Sequence, residues 1–494
     1  MDLDLVRQRA EKLLNELDRE FYLAGSGQKD QVDIGEIYEK YSDLADRKLL
    51  DEVREMLEAA EGEERKRLSY LYEFLVLNYL GHSTRKRDEE FLNREASLKV
   101  KTPEGEEVSF RYAEVLLLNE DDRDRRDAID SAREKALAEE LNPILEARFR
   151  ELNDSMRELG FSNCVELVES LSGIDLVPLR DRLGGFLAET EELYHRNLKE
   201  YLLSKDIPLD DAKRHDLRYL MRGRGFDSYF RGDRLIEITK RYLSAMGIDM
   251  YAGGNVRYDL EEREKKSPRA FCSPIRVPDE VVLVIMPKGG AEDYKTFLHE
   301  LGHALHYGHV DRELPFEFKY LGDNSVTEAF AMLFDHLPLN PAWVRELVAP
   351  GIPDEYIRHS WFTQLAMLRR YSAKLDYELA LHGDGSLEGK APLYSEKLSS
   401  ALHVKYPETS YLYDVDDFFY CARYLRAWIL ESHLSSYLEE KYGEKWFLNE
   451  DAGRFLVGLW RLGQKLDAAE IAGELGRELY DLGPMVERIR RYLP

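Results

Sequence analysis

Along most of the chain, apolar residues recur every three or four positions, the period of helices with one buried face. Leu3 to Phe21 and Gly35 to Ala60 read as amphipathic helices, and Leu68 to Leu80 is apolar enough to be buried. The alternation from Leu98 to Arg111 around Pro103-Glu-Gly105 predicts a β-hairpin. Asp121 to Leu159 predicts one or two long helices whose charges, at i,i+4 spacings, suit a solvated face. Gly160-Phe-Ser-Asn163 breaks that pattern and starts a fresh helix near Cys164. Further helices run to Met246.

One interval is β-rich. It opens at Gly253-Gly254 and Lys265–Pro268. Arg269 to Val277 and Val281 to Met286 then flank Pro278-Asp-Glu280 as a hairpin. The second of these strands is the expected sheet edge beside the site, open to an added peptide strand, although its unbroken Val/Leu/Ile run also suits an ordinary buried strand. From Pro341 onward the pattern is again helical, rich in Tyr, Trp and Leu. No period of 20–50 residues recurs, which argues against a solenoid.

At 494 residues the chain can bury a large core, as one helical body or as two lobes. The net charge of −26 disfavours nucleic acid or an anionic membrane as partner. Cys164, Cys272 and Cys421 are too few and too far apart for a disulfide framework. No apolar run approaches the roughly 18 residues of a membrane span, and the first residues carry no secretory signal. A soluble cytoplasmic protein is expected.

Candidate chemistry concentrates in Lys295 to Tyr307, which contains His299-Glu300-Leu301-Gly302-His303, the pattern H-E-x-x-H. Four residues is close to one helical turn, so both imidazoles leave the same face and can bind one Zn²⁺. Glu300, offset by about 100°, reaches a water beside the metal without ligating it. Gly302 is a poor helix former, and a glycine there admits close approach of another element. A catalytic zinc needs a third protein ligand. His306 lies about 10 Å along the axis from His299, too far to share the ion, and is expected to pack or support. Glu328, in the apolar stretch Asn324 to Asp335, is the better candidate, because burying a carboxylate there calls for a strong partner. Ser325 or Thr327 could cap that helix. With Zn²⁺ on His299, His303 and Glu328, Glu300 is the expected general base of a hydrolysis. An oxyanion donor is also needed, and Tyr420 and Tyr424, four apart in an aromatic stretch, are candidates.

The stretch His299-Glu-Leu-Gly-His-Ala-Leu-His306 resembles the H-E-x-G-H-x-x-H of the thimet oligopeptidase and oligoendopeptidase F family of zinc metallopeptidases. Glu328, 25 residues after His303, suits that family's third ligand, and Asp335 the acidic residue seven further on. Gly160-Phe-Ser-Asn163 and Phe419-Tyr-Cys-Ala-Arg-Tyr424 are similar to segments of oligoendopeptidase F. The resemblance implies a mainly α, two-lobed zincin-like body with a small β-sheet beside the active-site helix and a deep central cleft. Residues 1–200 would form a helical lobe over the channel and 201–494 the catalytic region. It further implies one zinc per chain, internal cleavage of short peptides, and a role for Tyr420 and Tyr424. Where the family usually has a histidine and a further tyrosine, this chain has Asp414, Asp416 and Asp417. If they line the channel they favour basic residues or a free amino terminus; otherwise they cap the following helix.

Two other functions stand beside this one. A metallocarboxypeptidase of the H-E-x-x-H type would need a cation for the substrate's terminal carboxylate, with Arg423 or Arg426 as the candidates. A non-catalytic peptide-binding scaffold should have lost a ligand or the base, and none is missing.

Overall fold

The computed structural model describes residues 2–493 except Pro268, which belongs to the break expected at Lys265–Pro268 and lies outside the described residues. The chain is mainly helical and divides into two discontinuous compact units. Met1–Tyr79, Gly225–Ile357 and Arg426–Met485 form the first, and Leu80–Arg224, Arg358–Leu425 and Val486–Pro494 the second. Each takes chain from both sides of residue 200. Strands are few: β1 (Lys99–Lys101), β2 (Glu107–Ser109), β3 (Val256–Asp259), β4 (Phe271–Arg276) and β5 (Glu280–Val284).

In the first unit, Asp2 caps the N-terminal helix (Leu3–Gly25) by accepting from Leu5 N–H. The single helix expected over Gly35–Ala60 is two, Gly35–Lys40 and Arg47–Ala59. Asp46 causes the division, adopting an extended conformation and capping the second helix through Lys48 N–H at 2.7 Å.

The three-stranded sheet has the order β3-β5-β4, with β5 parallel to β3 and antiparallel to β4. The expected edge, Val281 to Met286, is therefore the middle strand. Its side chains explain why: Val281, Val282, Leu283 and Val284 are all fully buried, the pattern of a strand with neighbours on both edges and cover on both faces. The edge beside the motif helix is β4, and the N-terminal helix lies along it. Ser273 Oγ donates to Asp18 O at 3.5 Å, and Gly25 packs under the Phe271 ring.

Behind the sheet, the motif helix (Ala291–His309) packs on the glutamate helix (Asn324–Asp335). Gly302 is the point of closest approach: a Cβ there would lie 2.5 Å from both Ala331 Cα and Phe330 O. The close approach expected of this glycine is present.

The second unit contains the β1–β2 hairpin, antiparallel with Val100 opposite Val108. The charged region runs as helices Arg123–Ala136 and Asn142–Glu158. Its charges are not all solvated, as their spacing suggested. Arg126 is 1% exposed and bonded to Asp216 at 2.8 Å, because a remote segment supplies the partner that local spacing cannot reveal. Asn163 caps Cys164–Ser172 by accepting from Glu166 N–H at 2.9 Å. Among the described residues no helix is long and apolar enough to cross a membrane.

Candidate metal centre

His299 and His303 leave one face of the motif helix with rings 4.9 Å apart. Glu328 faces them from the first turns of the glutamate helix. Its Oε2 lies 3.4 Å from His299 Nε2 and 3.6 Å from His303 Nε2. Ligands about 2.0–2.1 Å from a tetrahedral zinc stand roughly 3.3 Å from one another, so these separations suit a common ion. The three residues are the ones the sequence nominates.

The outward-facing nitrogens are held. His299 Nδ1 is 2.8 Å from Asp335 Oδ2, and His303 Nδ1 is 2.9 Å from Thr327 Oγ1. With Nδ1–H donating in both rings, both Nε2 lone pairs are left for a metal. Thr327 is thus not the helix cap, nor is Ser325. Asp323 caps, accepting from Ser325 N–H at 3.0 Å. A further layer stands behind Asp335, where His336 Nε2 is 3.5 Å from Asp335 Oδ1 and His336 Nδ1 is 2.8 Å from Glu431 Oε2. Ser435 Oγ donates to Glu431 Oε1 at 2.7 Å. Thr327 and Glu431 gave no signal of these contacts in the sequence, since each acts through a partner far along the chain, and His336, although next to Asp335, is held by the equally distant Glu431.

Under the influence of the surrounding protein groups the two histidines diverge. Burial opposes a charge on His299, but the Asp335 and Glu328 carboxylates outweigh it and push its pKa up to about 10. At His303 burial wins and the value falls to about 4. Burial pushes Glu300 up to about 7, while His299 and a hydrogen bond from Cys272 N–H act the other way. His306 is fully buried, donates from Nε2 to Gly463 O at 3.2 Å and packs on Phe330. It is a packing residue.

Tyr420 and Tyr424 fall in the second unit, at the start of helix Tyr420–Tyr442, edge-to-face with ring centroids 4.9 Å apart. Tyr424 also meets the ring of Tyr371 at 5.7 Å. The acidic trio before them is already neutralised. Asp414 pairs with Arg370, Asp416 with Lys374 at 2.8 Å, and Asp417 with Arg148 through bonds of 2.8 and 2.7 Å. The attraction for basic substrates that the trio would have if it lined a channel is therefore already met by cations of this unit. Glu378, Asp416 and Cys421 also cluster, but the Lys374 ammonium lies 2.8 Å from Asp416 and 3.8 Å from Glu378. Lys374 already supplies the cation there.

Of the two arginines nominated for a terminal carboxylate, Arg426 is committed elsewhere. It bonds Asp323 at 2.7 Å and the Tyr480 hydroxyl at 2.9 Å. Compared with models of known protein families and with curated proteins, the chain matches none.

Proposed function

We propose that this chain is a zinc metallopeptidase and, within that class, an oligoendopeptidase that hydrolyses internal bonds of short unfolded peptides. One observation carries the reading: His299 Nε2 and His303 Nε2 converge on Glu328 Oε2 with their far nitrogens held by Asp335 and Thr327. Zinc, when held by these three residues, supplies Lewis acidity toward a carbonyl and lowers the pKa of water beside it towards 7. Glu300 takes a proton from the attacking water and returns it to the leaving amine nitrogen. Asp335 and Thr327 keep each imidazole in the tautomer whose Nε2 is a ligand. The zincin-like, two-lobed body with a deep cleft that the family resemblance implies is part of the same proposal, as is the exclusion of folded substrates.

The experiment is metal analysis of the purified protein, with mass spectrometry of products from peptides bearing free or amidated C-termini. One zinc per chain and internal cuts indifferent to amidation are expected. Single residues released stepwise from free C-termini only would make the protein a carboxypeptidase. Zinc without hydrolysis of any peptide would leave a peptide-binding scaffold.

A further inference from the structure

Away from the candidate centre, a second pair of histidines lines a cavity of the second unit. His195 lies one turn after Glu191 on helix Glu191–Leu203, so the two leave the same face. His403 closes helix Lys390–Leu402, its N–H bonded to Ser399 O at 2.9 Å. It does so in the left-handed region, at φ 51° and ψ 30°. A residue other than glycine is uncommon there and persists only where its surroundings impose it. Here Glu191 Oε1 accepts from His403 Nε2 at 2.6 Å, and the Tyr194 ring stacks on the imidazole at 6.2 Å. Glu191 is in turn anchored by the buried Arg369.

The two imidazoles stand edge-to-face with centroids 5.2 Å apart and planes at 84°. His299 and His303 stand at 4.9 Å and 83°. The likeness extends to the far nitrogen, since a carboxylate holds His403 Nε2 as Asp335 holds His299 Nδ1. With Nε2–H donating, Nδ1 of His403 keeps its lone pair, and no described residue bonds it. Neither ring nitrogen of His195 bonds a described residue. Both rings are half-buried and line a cavity of about 330 Å³, which has room for an ion and its waters. Asp210 lines the same cavity and makes no hydrogen bond or ion pair with any described residue, so its charge is available to a cation. Lys405, also on the cavity, has Asp211 as its partner at 3.7 Å.

We propose that His195 and His403 form a second metal site, which holds an exchangeable divalent transition ion through two imidazole nitrogens with water in the remaining positions. Imidazole suits Zn²⁺, Cu²⁺ and Ni²⁺, whereas Mg²⁺ and Ca²⁺ prefer oxygen ligands. Glu191 and Tyr194 hold the His403 ring, and Glu191 fixes its tautomer. Two protein ligands bind an ion far less tightly than a full set of four, and the open positions let it leave. The site is independent of the peptidase reading, because every residue it uses lies in the second unit.

The test titrates zinc-loaded protein, freed of excess metal, with Zn²⁺ and separately with Cu²⁺. Calorimetry reads the affinity, and electron paramagnetic resonance of the copper reads its ligands. One further ion per chain is expected, with a Kd on the order of 1–100 μM for Zn²⁺, as suits about half the ligands of a structural zinc site, and tighter for Cu²⁺. The copper signal should show coupling to two nitrogens. His195→Ala should raise Kd at least tenfold and leave one coupled nitrogen. His403→Asn should do the same, and asparagine tolerates the left-handed region, so the helix end is kept. Thermal melts confirm that both variants fold. Elemental analysis before the titration counts zinc at the His299 centre, so a chain that holds none there still tests this site. No further ion, or one that both variants bind as tightly as the unaltered protein, overturns the proposal; the latter would be an adventitious ion on an acidic surface.

Discussion

Gly302→Ala is the sharpest probe of how the candidate centre is held. The new Cβ would start 2.5 Å from Ala331 Cα and Phe330 O. Carbon contacts settle near 3.5 Å, so the motif and glutamate helices must part by roughly 1 Å. Both obstructing atoms are backbone, and no rotamer change relieves them. Glu328 lies three residues from Ala331 on the helix that is pushed away. A ligand distance of about 2.0 Å would stretch towards about 3 Å, beyond bonding. Overpacking costs about 1–3 kcal/mol, and alanine's better helix propensity returns about 1 kcal/mol. The fold therefore loses at most about 2 kcal/mol, whereas zinc affinity should fall by more than the roughly 10–100-fold seen on losing an outer partner of a ligand. Chelator competition at fixed pH measures the affinity, and thermal melts with and without zinc measure the fold. A variant with unaltered zinc affinity would refute the claim that this contact sets the position of Glu328.

Glu328→Ala should lose most of its zinc while His306→Ala keeps it, as elemental analysis of the two proteins will report; full retention in the first would remove Glu328 from the ligand set. Glu300→Gln should keep zinc and fold but lose about 10²–10⁴-fold in kcat, and turnover at the original rate would end the general-base assignment. Tyr420→Phe with Tyr424→Phe should lower kcat with little change in KM, as loss of a donor used in the transition state does; an unchanged kcat would return both to packing. His382, stacked on Phe149 and beside the tilted ring of Phe419 with no hydrogen bond at either nitrogen, gives a pH signature. Burial lowers its pKa from 6.5 to about 4, so the unfolded chain takes up the proton first as the pH falls. The stability concerned is present above pH 6.5 and lost between there and pH 4, by about 3 kcal/mol. His382→Phe should flatten that loss in urea melts across pH 4–7, and an unchanged slope would refute it.

The side chains of the candidate metal centre were legible because their geometry is local. His299 and His303 need only a helix, and Glu328 betrays itself as a carboxylate among apolar neighbours. What surrounds them was not. An unbroken apolar run marks β5 as buried without saying which strands flank it. Asp323, Asn324, Ser325 and Thr327 can each cap a helix, and only His303's need for an Nδ1 partner diverts Thr327 to another task. The acidic trio looked available because its partners, Arg148, Arg370 and Lys374, lie far off in sequence.

The interleaving of the first unit has a consequence during synthesis. The N-terminal helix leaves the ribosome some 255 residues before Ser273, which it contacts. At about 5–20 residues per second, that helix waits roughly 10–50 s for the strand it will cover. Glu431, which supports the histidine behind Asp335, arrives later still. The growing chain therefore carries both halves of H-E-x-x-H before it has the scaffold to aim them. Under the peptidase reading proposed above, a chain assembled in this order cannot cut its own unfolded segments while they are most exposed.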